Sequence, residues 1–487
     1  MANFIVEFPL KTEIYQEHIL DKRFNIGRTI YNALINITQK RYQEMIKTKE
    51  YRHFISQLTK DKEKNKPIWK EINKLEKSFN LNEYAFHRDV QKMQRHFKNN
   101  IDTFTAQKLA SNLWKAYDKL LHGEGKTIRF KKYGQLNTLE GKSNNTGIRF
   151  KNNFVYWNKL KIPVIIDYGN YYEYQSMQNE ISYCRIVRKF IKKKYKYYVQ
   201  IVFKGIPPVK IDNLTGEIKR HLGNGSVGID IGTSTIAYSS DTDVKIIELA
   251  DKVQNIENEK RRILRKMDRS RRATNPNNFN EDGTVKKQGS RKVVWIKSNH
   301  YLNRQKQLRT LYRKQAAVRK YQHECLANEI IKLGDKFYVE EMNYKALQKK
   351  TKKTEVSEKT GKYKKKKRFG KSIANRAPAM LLDTINRKLS YYGVQLIEID
   401  TKNAKASQYN HFEDDYRKKK LSQRWNNFNG IKVQRDLYSS FLIKNVNDDL
   451  KSFNLTKCNE TFDNFLKLHN LEVERLSKHK NLSCIAI

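Results

Sequence analysis

Three acidic residues occupy positions where a carboxylate is costly. Asp230 interrupts the apolar, small-residue run GSVGIDIGTS at residues 225–234. Side chains alternate along a strand. With Ile229 and Ile231 on one face, Asp230 takes the other, just ahead of a Gly-Thr-Ser turn. In KFYVEEMNY the residues Phe337 to Val339 lead directly into Glu340 and Glu341, which presents a carboxylate at a sheet edge. In KVQRDLYSSFLI, Leu437 and Phe441 are one helical turn apart, so a helix begins near Asp436. Each acid alone has a plain structural role. Asp230 could cap a turn, Glu340 could end a solvated strand, and Asp436 could favour a helix dipole by up to about 1 kcal/mol. Together they imply different chemistry. Two carboxylates about 4 Å apart repel by roughly 4 kcal/mol at an effective dielectric near 20. A converging trio therefore requires cations. Hard oxygen donors suit Mg²⁺, and metals roughly 3.5–4 Å apart clamp the attacking and leaving oxygens of a phosphodiester.

The composition points to a polyanionic partner. Lys and Arg total 99 against 51 Asp and Glu, a formal net charge of +48 over 487 residues. Such a field draws nucleic acid first. A membrane surface is the rival, weakened because the charge is spread along the whole chain. No apolar run of the roughly 18 residues a span needs is present. The N-terminal MANFIVEFPLKTE lacks a signal-peptide layout. Cys184, Cys325, Cys458 and Cys484 lie far apart and fit neither a disulfide framework nor a CxxC clip. The expectation is a reduced, cytoplasmic protein without structural zinc.

The acids must be positioned by elements of three textures. Residues 3–10 (NFIVEFPL) read as one strand, and residues 11–122 read as helices with apolar residues at three- and four-residue steps. Pro67 marks the start of one helix. After Gly123 come short β-type runs with Gly, Asn and Pro turns, predicting a small antiparallel barrel completed by the first strand. From Gly225 the order becomes strands, a basic helical stretch at about 252–334, a strand, a Lys-rich low-complexity loop, a helix and a strand, an α/β pattern.

Taken in order, these pieces resemble the TnpB family, transposon-encoded relatives of the type V CRISPR effectors. GIDIGTS resembles the first RuvC motif, VEEMNYKAL the second and QRDLYSSFLI the third, matching Asp230, Glu340 and Asp436 to the catalytic acids. TAQKLASNLWKAYDKLLHGEGKTIRFKK, ahead of the first motif, resembles the family's helix leading into a basic loop, and RKMDRSRRATNPNNF and YRKQAAVRKY resemble its basic helices between the first two motifs. The resemblance implies a multidomain α+β protein with an RNase H-like (RuvC) α/β nuclease domain, a wedge-like antiparallel β-barrel and an inserted helical recognition lobe. Its implied boundaries are wedge 1–10 and 123–222, recognition lobe 11–122, nuclease with a basic helical insertion 223–400, degenerate target-nucleic-acid-binding ribbon 401–432, and third motif with tail 433–487. It further implies a guide RNA, a double-stranded DNA target and two Mg²⁺ ions, for which Mn²⁺ can substitute. The family's zinc ribbon departs here: the interval TKNAKASQYNHFEDDYRKKKLSQRWNNFNGIKVQRD holds no Cys. A metal-free ribbon packed by Tyr409, Phe412, Trp425 and Phe428 is the expectation. Gln434 and Tyr438 also depart from the third motif.

Two other readings stay open. An RNA-guided DNA-binding repressor with little or no cleavage would share most of these features. GIDIGT also resembles the first phosphate loop of actin-like ATPases, but only 20 Gly are present and no second Gly-rich cradle follows. Candidate nucleic-acid contacts are basic residues beside aromatics. They are Arg129, Lys131, Lys132 and Tyr133 in TIRFKKYG; Lys192, Lys193 and Lys194 in RKFIKKKYKYY; and Arg265, Arg269, Arg271 and Arg272 in RKMDRSRR. The lysines of the second group could equally guard a strand edge.

Overall fold

In strand β1 (Asn3–Pro9), Phe4, Val6 and Phe8 are buried and Asn3, Ile5 and Pro9 exposed, the alternation expected of one covered face. A computed structural model describes residues 3–59, 61–125, 127–191, 194–212, 214–286, 293–349, 356, 369–419 and 423–478. These fall into two compact units, 1–214 and 215–487. The whole is a multidomain α+β chain. Among the described residues no helix is long and apolar enough to cross a membrane.

In the first unit β1 is followed by helices α1 (Ile14–Met45), α2 (Lys49–Gln57), α3 (Lys62–Ser78), α4 (Glu83–His96) and α5 (Thr103–Leu121). Strands β2 (Thr138–Glu140), β3 (Arg149–Lys151), β4 (Phe154–Trp157) and β5 (Leu160–Pro163) come next, then α6 (Tyr171–Met177), β6 (Ile181–Ile191) and β7 (Lys194–Lys204). The antiparallel order β1-β7-β6-β2 makes one sheet and β3-β4-β5 another. The expected barrel does not close among the described residues. Past Pro9 the chain is handed from β7 to the end of β5: Leu10 N–H donates to the Tyr197 carbonyl (3.0 Å) and Lys11 N–H to the Pro163 carbonyl (2.9 Å). The opposite edge, β2, is three residues long and packs against α1 and α5. One apolar core joins helices and sheets, with Phe8, Phe24, Phe86, Trp157 and Phe203 each buried.

The second unit begins with β8 (Ser226–Ile231), β9 (Thr235–Ser239) and β10 (Val244–Glu248). The basic stretch forms α7 (Val253–Thr274) and α8 (Asn299–Ile330), and β11 (Lys336–Glu340) and α9 (Tyr344–Leu347) follow. Most of the Lys-rich loop lies outside the described residues. Then come α10 (Gly370–Arg376), α11 (Pro378–Leu389), β12 (Leu396–Ile399) and α12 (Thr401–Ala404). Two short hairpins, β13 (Tyr409–Asn410) with β14 (Asp415–Tyr416) and β15 (Trp425–Phe428) with β16 (Ile431–Gln434), precede α13 (Arg435–Lys444) and α14 (Leu455–Ser477).

Strands β10-β9-β8-β11-β12 form one sheet. The first three are antiparallel neighbours, whereas β11 runs parallel to both β8 and β12. Val227, Ile229, Ile231, Phe337 and Val339 point to the face covered by α8 and α11. The opposite face is covered by α13 and α14 through Leu437, Phe441, Phe462 and Phe465. The result is three layers, helix on sheet on helix. Helix α14, which the sequence left without a role, completes this core: Glu472 Oε1 accepts the Ile246 N–H at 3.0 Å.

Candidate active site

Strand alternation sets the site. Val339 pairs with Ile229 across the parallel β8–β11 ladder, and both face the α8–α11 core. The next residue on each strand, Glu340 and Asp230, therefore turns to the other face side by side. That is the face on which α13 lies. Gly228, two residues before Asp230, explains the closeness: a Cβ there would sit 2.1 Å from the Ser440 carbonyl oxygen and 2.2 Å from the Lys444 nitrogen. Only a glycine lets helix backbone rest on strand backbone. Asp436 occupies the first turn of that helix.

The helix start is built by Gln434 and Tyr438. Gln434 Oε1 accepts the Leu437 N–H at 2.8 Å and so caps α13, while its own N–H donates to His469 Nε2 at 2.9 Å. The Tyr438 hydroxyl bonds His411 Nδ1 at 2.6 Å and accepts the His411 N–H at 3.1 Å.

The electrostatics follow from this geometry. Burial, then Glu340, then Asp436 push the Asp230 carboxyl well above the usual carboxylate range, against the pull of Arg435 and Arg424. Burial pushes Glu340 up to about 7. Among the described residues no hydrogen bond to either carboxylate offsets this. Asp436 is treated differently. Its Oδ1 accepts from Arg435 Nε at 3.0 Å and Nη2 at 2.9 Å, and its Oδ2 accepts from Arg424 Nη1 at 3.3 Å. Among the described residues no three His, Cys, Asp or Glu side chains are gathered closely enough to hold a metal ion. Both Asp436 oxygens are engaged by guanidinium groups. The donor set nonetheless has the oxygen chemistry a hard divalent cation takes: two adjacent carboxyl groups, acceptors once they give up their protons, with a third within electrostatic reach.

Arg424 and Arg435 were not anticipated as site residues. A basic residue directly before Asp436 was the available signal. Tyr344 was also missed, although it lies in the quoted second motif. Its hydroxyl is buried and, among the described residues, has no hydrogen-bond partner, and Asp230 adds to burial in raising its pKa.

The basic candidates fall at several places. Arg129, Lys132 and Tyr133 are exposed, Tyr133 at 71%. Lys131 is half-buried and its backbone is pinned to α1, where Asn32 bonds both its N–H (2.8 Å) and its carbonyl (2.9 Å). Lys194 is exposed at the start of β7, while Lys192 and Lys193 lie outside the described residues. Arg265 and Arg269 are exposed on α7. Arg271 and Arg272 both pair with Asp268, at 2.5 and 2.9 Å, and their guanidinium groups stack on Trp295 and Phe279 respectively. Those two arginines hold the segment after α7.

The ribbon interval forms the two short hairpins. Tyr409 and Phe428 are buried in the core shared with α13 and α14, whereas Phe412 is 44% exposed and Trp425 meets His469 edge-on.

No family model matches the chain, and no curated protein matches it. Among solved structures it is similar to one described as "Cryo-EM structure of CRISPR-Cas12f Ternary Complex", at 12% identity and a TM-score of 0.23, over 92% of this chain and 99% of that one.

Proposed function

We propose that this chain is an RNA-guided DNA endonuclease that hydrolyses phosphodiesters at an RNase H-like, RuvC-type site. The observation that carries the reading is the placement of Asp230 and Glu340, side by side on adjacent parallel strands, their carboxyl groups without a hydrogen bond among the described residues, beneath the helix whose first turn holds Asp436. The strand order supports it too: three antiparallel strands followed by two parallel ones is the arrangement of RNase H-like sheets. The charge of +48 and the three motifs in family order supply the nucleic-acid side of the proposal.

Asp230, Glu340 and Asp436 would hold two Mg²⁺ ions. A bound pair supplies an activated water and a counter-charge for the leaving oxygen. Asp230 and Glu340 would contribute adjacent negative charge once a cation displaces their protons, in a half-buried setting where the attraction is strong. Arg424 and Arg435 neutralise Asp436 in the absence of cations. The first unit would supply the wedge and the helical recognition lobe for the guide RNA and the target duplex. Exposed Arg129, Lys132, Arg265 and Arg269 suit many weak phosphate contacts.

The second reading is a guide-dependent DNA-binding repressor, favoured by one observation: both oxygens of Asp436 are engaged by arginines. One experiment separates them. The protein with its copurified RNA is incubated with matching target DNA in Mg²⁺ or EDTA, as wild type and as Asp230→Ala. The nuclease reading expects cleavage in Mg²⁺ that both EDTA and the substitution abolish. Target binding without cleavage in any arm establishes the repressor, and equal cleavage by Asp230→Ala overturns the site.

A further inference from the structure

Helices α2 and α3 form a hairpin that closes on the rest of the first unit along one narrow stripe. No residue of α2 is fully buried. On α3, Ile72 and Glu76 are buried, one helical turn apart. Trp69, a turn earlier on the same face, stacks on His122 at the end of α5, with ring centroids 4.9 Å apart. Leu75 and Phe79 add partly buried apolar surface against the core. The hairpin is hinged at short turns: Thr48 caps α2 through the Tyr51 N–H, and Asn80, just past α3, has a left-handed φ of 55°.

Glu76 is the anomaly in this stripe. It is 4% exposed, and its Oε1 is buried with no hydrogen-bond partner among the described residues. A buried, unpaired carboxylate is costly, and such a group takes up a proton instead. The groups facing it do not supply a counter-charge. They are Tyr51 of α2 and Asp118 and His122 of α5, with Tyr42 of α1 beside Tyr51. His122 would favour a charge on Glu76, but its Nδ1 lies 2.9 Å from the Asp118 carbonyl oxygen and 3.5 Å from Asp118 Oδ1. Asp118 repels such a charge. Burial dominates and pushes Glu76 up to about 7 from the ordinary 4.5. With the hairpin open, the same carboxyl stands in water and titrates near its ordinary value. The closed form therefore holds the proton more tightly, and that advantage fades as pH rises through about 7.

We propose that the α2–α3 hairpin is a proton-operated clasp: it stays docked while Glu76 is protonated and opens as Glu76 ionises, baring Trp69, Ile72 and Phe79. The clasp goes beyond the nuclease reading. It needs neither metal nor nucleic acid, so failure of one leaves the other standing.

The test is amide hydrogen exchange on the full-length protein at pH 6, 7 and 8, corrected for the intrinsic rate at each pH. Protection of the α3 amides reports closure of the hairpin. In wild type it should fall about tenfold from pH 6 to pH 8, the change in closing expected of a group moved to about 7. The amides of α5 should keep theirs. Glu76→Gln, a neutral side chain of the same shape, should hold the α3 protection level over this range. If that variant does not fold, Glu76→Leu, which buries no polar atom, should do the same. His122→Phe keeps an aromatic ring against Trp69 and should keep the pH dependence. Loss of the dependence in His122→Phe assigns the proton to the imidazole and overturns the clasp. It is likewise overturned by constant α3 protection in wild type, or by an undiminished fall in a folded Glu76→Gln or Glu76→Leu variant.

Discussion

Gly228 lies against Ser440 so closely that a single methyl group at residue 228 would reach 2.1 Å from the Ser440 carbonyl oxygen. The obstacle is helix backbone, which cannot rotate away. Gly228→Ala therefore forces α13 off the sheet and moves Asp436 away from Asp230. Overpacking of this kind costs about 1–3 kcal/mol or more. Thermal unfolding should show a clearly lowered midpoint, and cleavage should fall with it. A variant of native stability would mean that α13 does not rest on this strand.

Arg435 should oppose cation binding. It lies against Asp436 with two hydrogen bonds of 3.0 and 2.9 Å, and its charge acts on Asp230 as well. A unit charge at about 4 Å is worth roughly 1–4 kcal/mol between bulk water and an effective dielectric of about 20. Arg435→Met should thus tighten Mn²⁺ binding by about tenfold in a spin-resonance titration. Unchanged affinity would show that the guanidinium does not compete with the cation.

Much of this site was legible because period and residue type agree. Asp230 interrupts an alternating apolar strand, and the alternation itself places it opposite Ile229 and Ile231. The layer on which α13 and α14 pack was less legible, because it depends on contacts between distant segments, such as Glu472 with the Ile246 backbone. The barrel was misjudged for the same reason: strand pattern fixes faces, and closure depends on where Leu10 and Lys11 turn. Pro67 misled as a helix start. Asp61 accepts the Glu63 N–H at 3.0 Å and opens the helix earlier, leaving Pro67 inside it. Arg435 was marked by its place beside Asp436, but Arg424 could not be assigned from spacing, since it reaches Asp436 from the ribbon side of the chain.

Glu340 makes the stability of the metal-free protein fall as pH rises. Its carboxyl titrates near 7 when folded, against an ordinary value of 4.5. The folded state therefore holds the proton more tightly, and that contribution is present below the ordinary value and lost as pH rises through about 7. Glu340→Gln removes the contribution. In EDTA, the variant should gain on wild type as pH goes from 4.5 to 8, by several degrees at roughly 2–4 °C per kcal/mol. Saturating Mg²⁺ should reverse the order. A constant difference across pH would mean that Glu340 is well solvated.

His411 should set an acid limit on the ribbon. Burial lowers its imidazole from 6.5 to about 4. The Tyr438 hydroxyl accepts the His411 N–H, which leaves its own proton for Nδ1 and keeps the ring neutral. A depressed base stabilises the fold above its ordinary value, and that stability is lost as pH falls from 6.5 through about 4. His469 and His323 are lowered by burial in the same direction, so the measurement must be a difference between variants. His411→Phe deletes one titrating group from the aromatic cluster of Phe412, Phe441 and Phe462. Its unfolding midpoint should fall less steeply than wild type between pH 6.5 and 4. Tyr438→Phe leaves two buried His411 groups unpaired and should cost about 1–3 kcal/mol at neutral pH. Parallel pH curves for wild type and His411→Phe would show that this ring takes up its proton alike in the folded and unfolded chain.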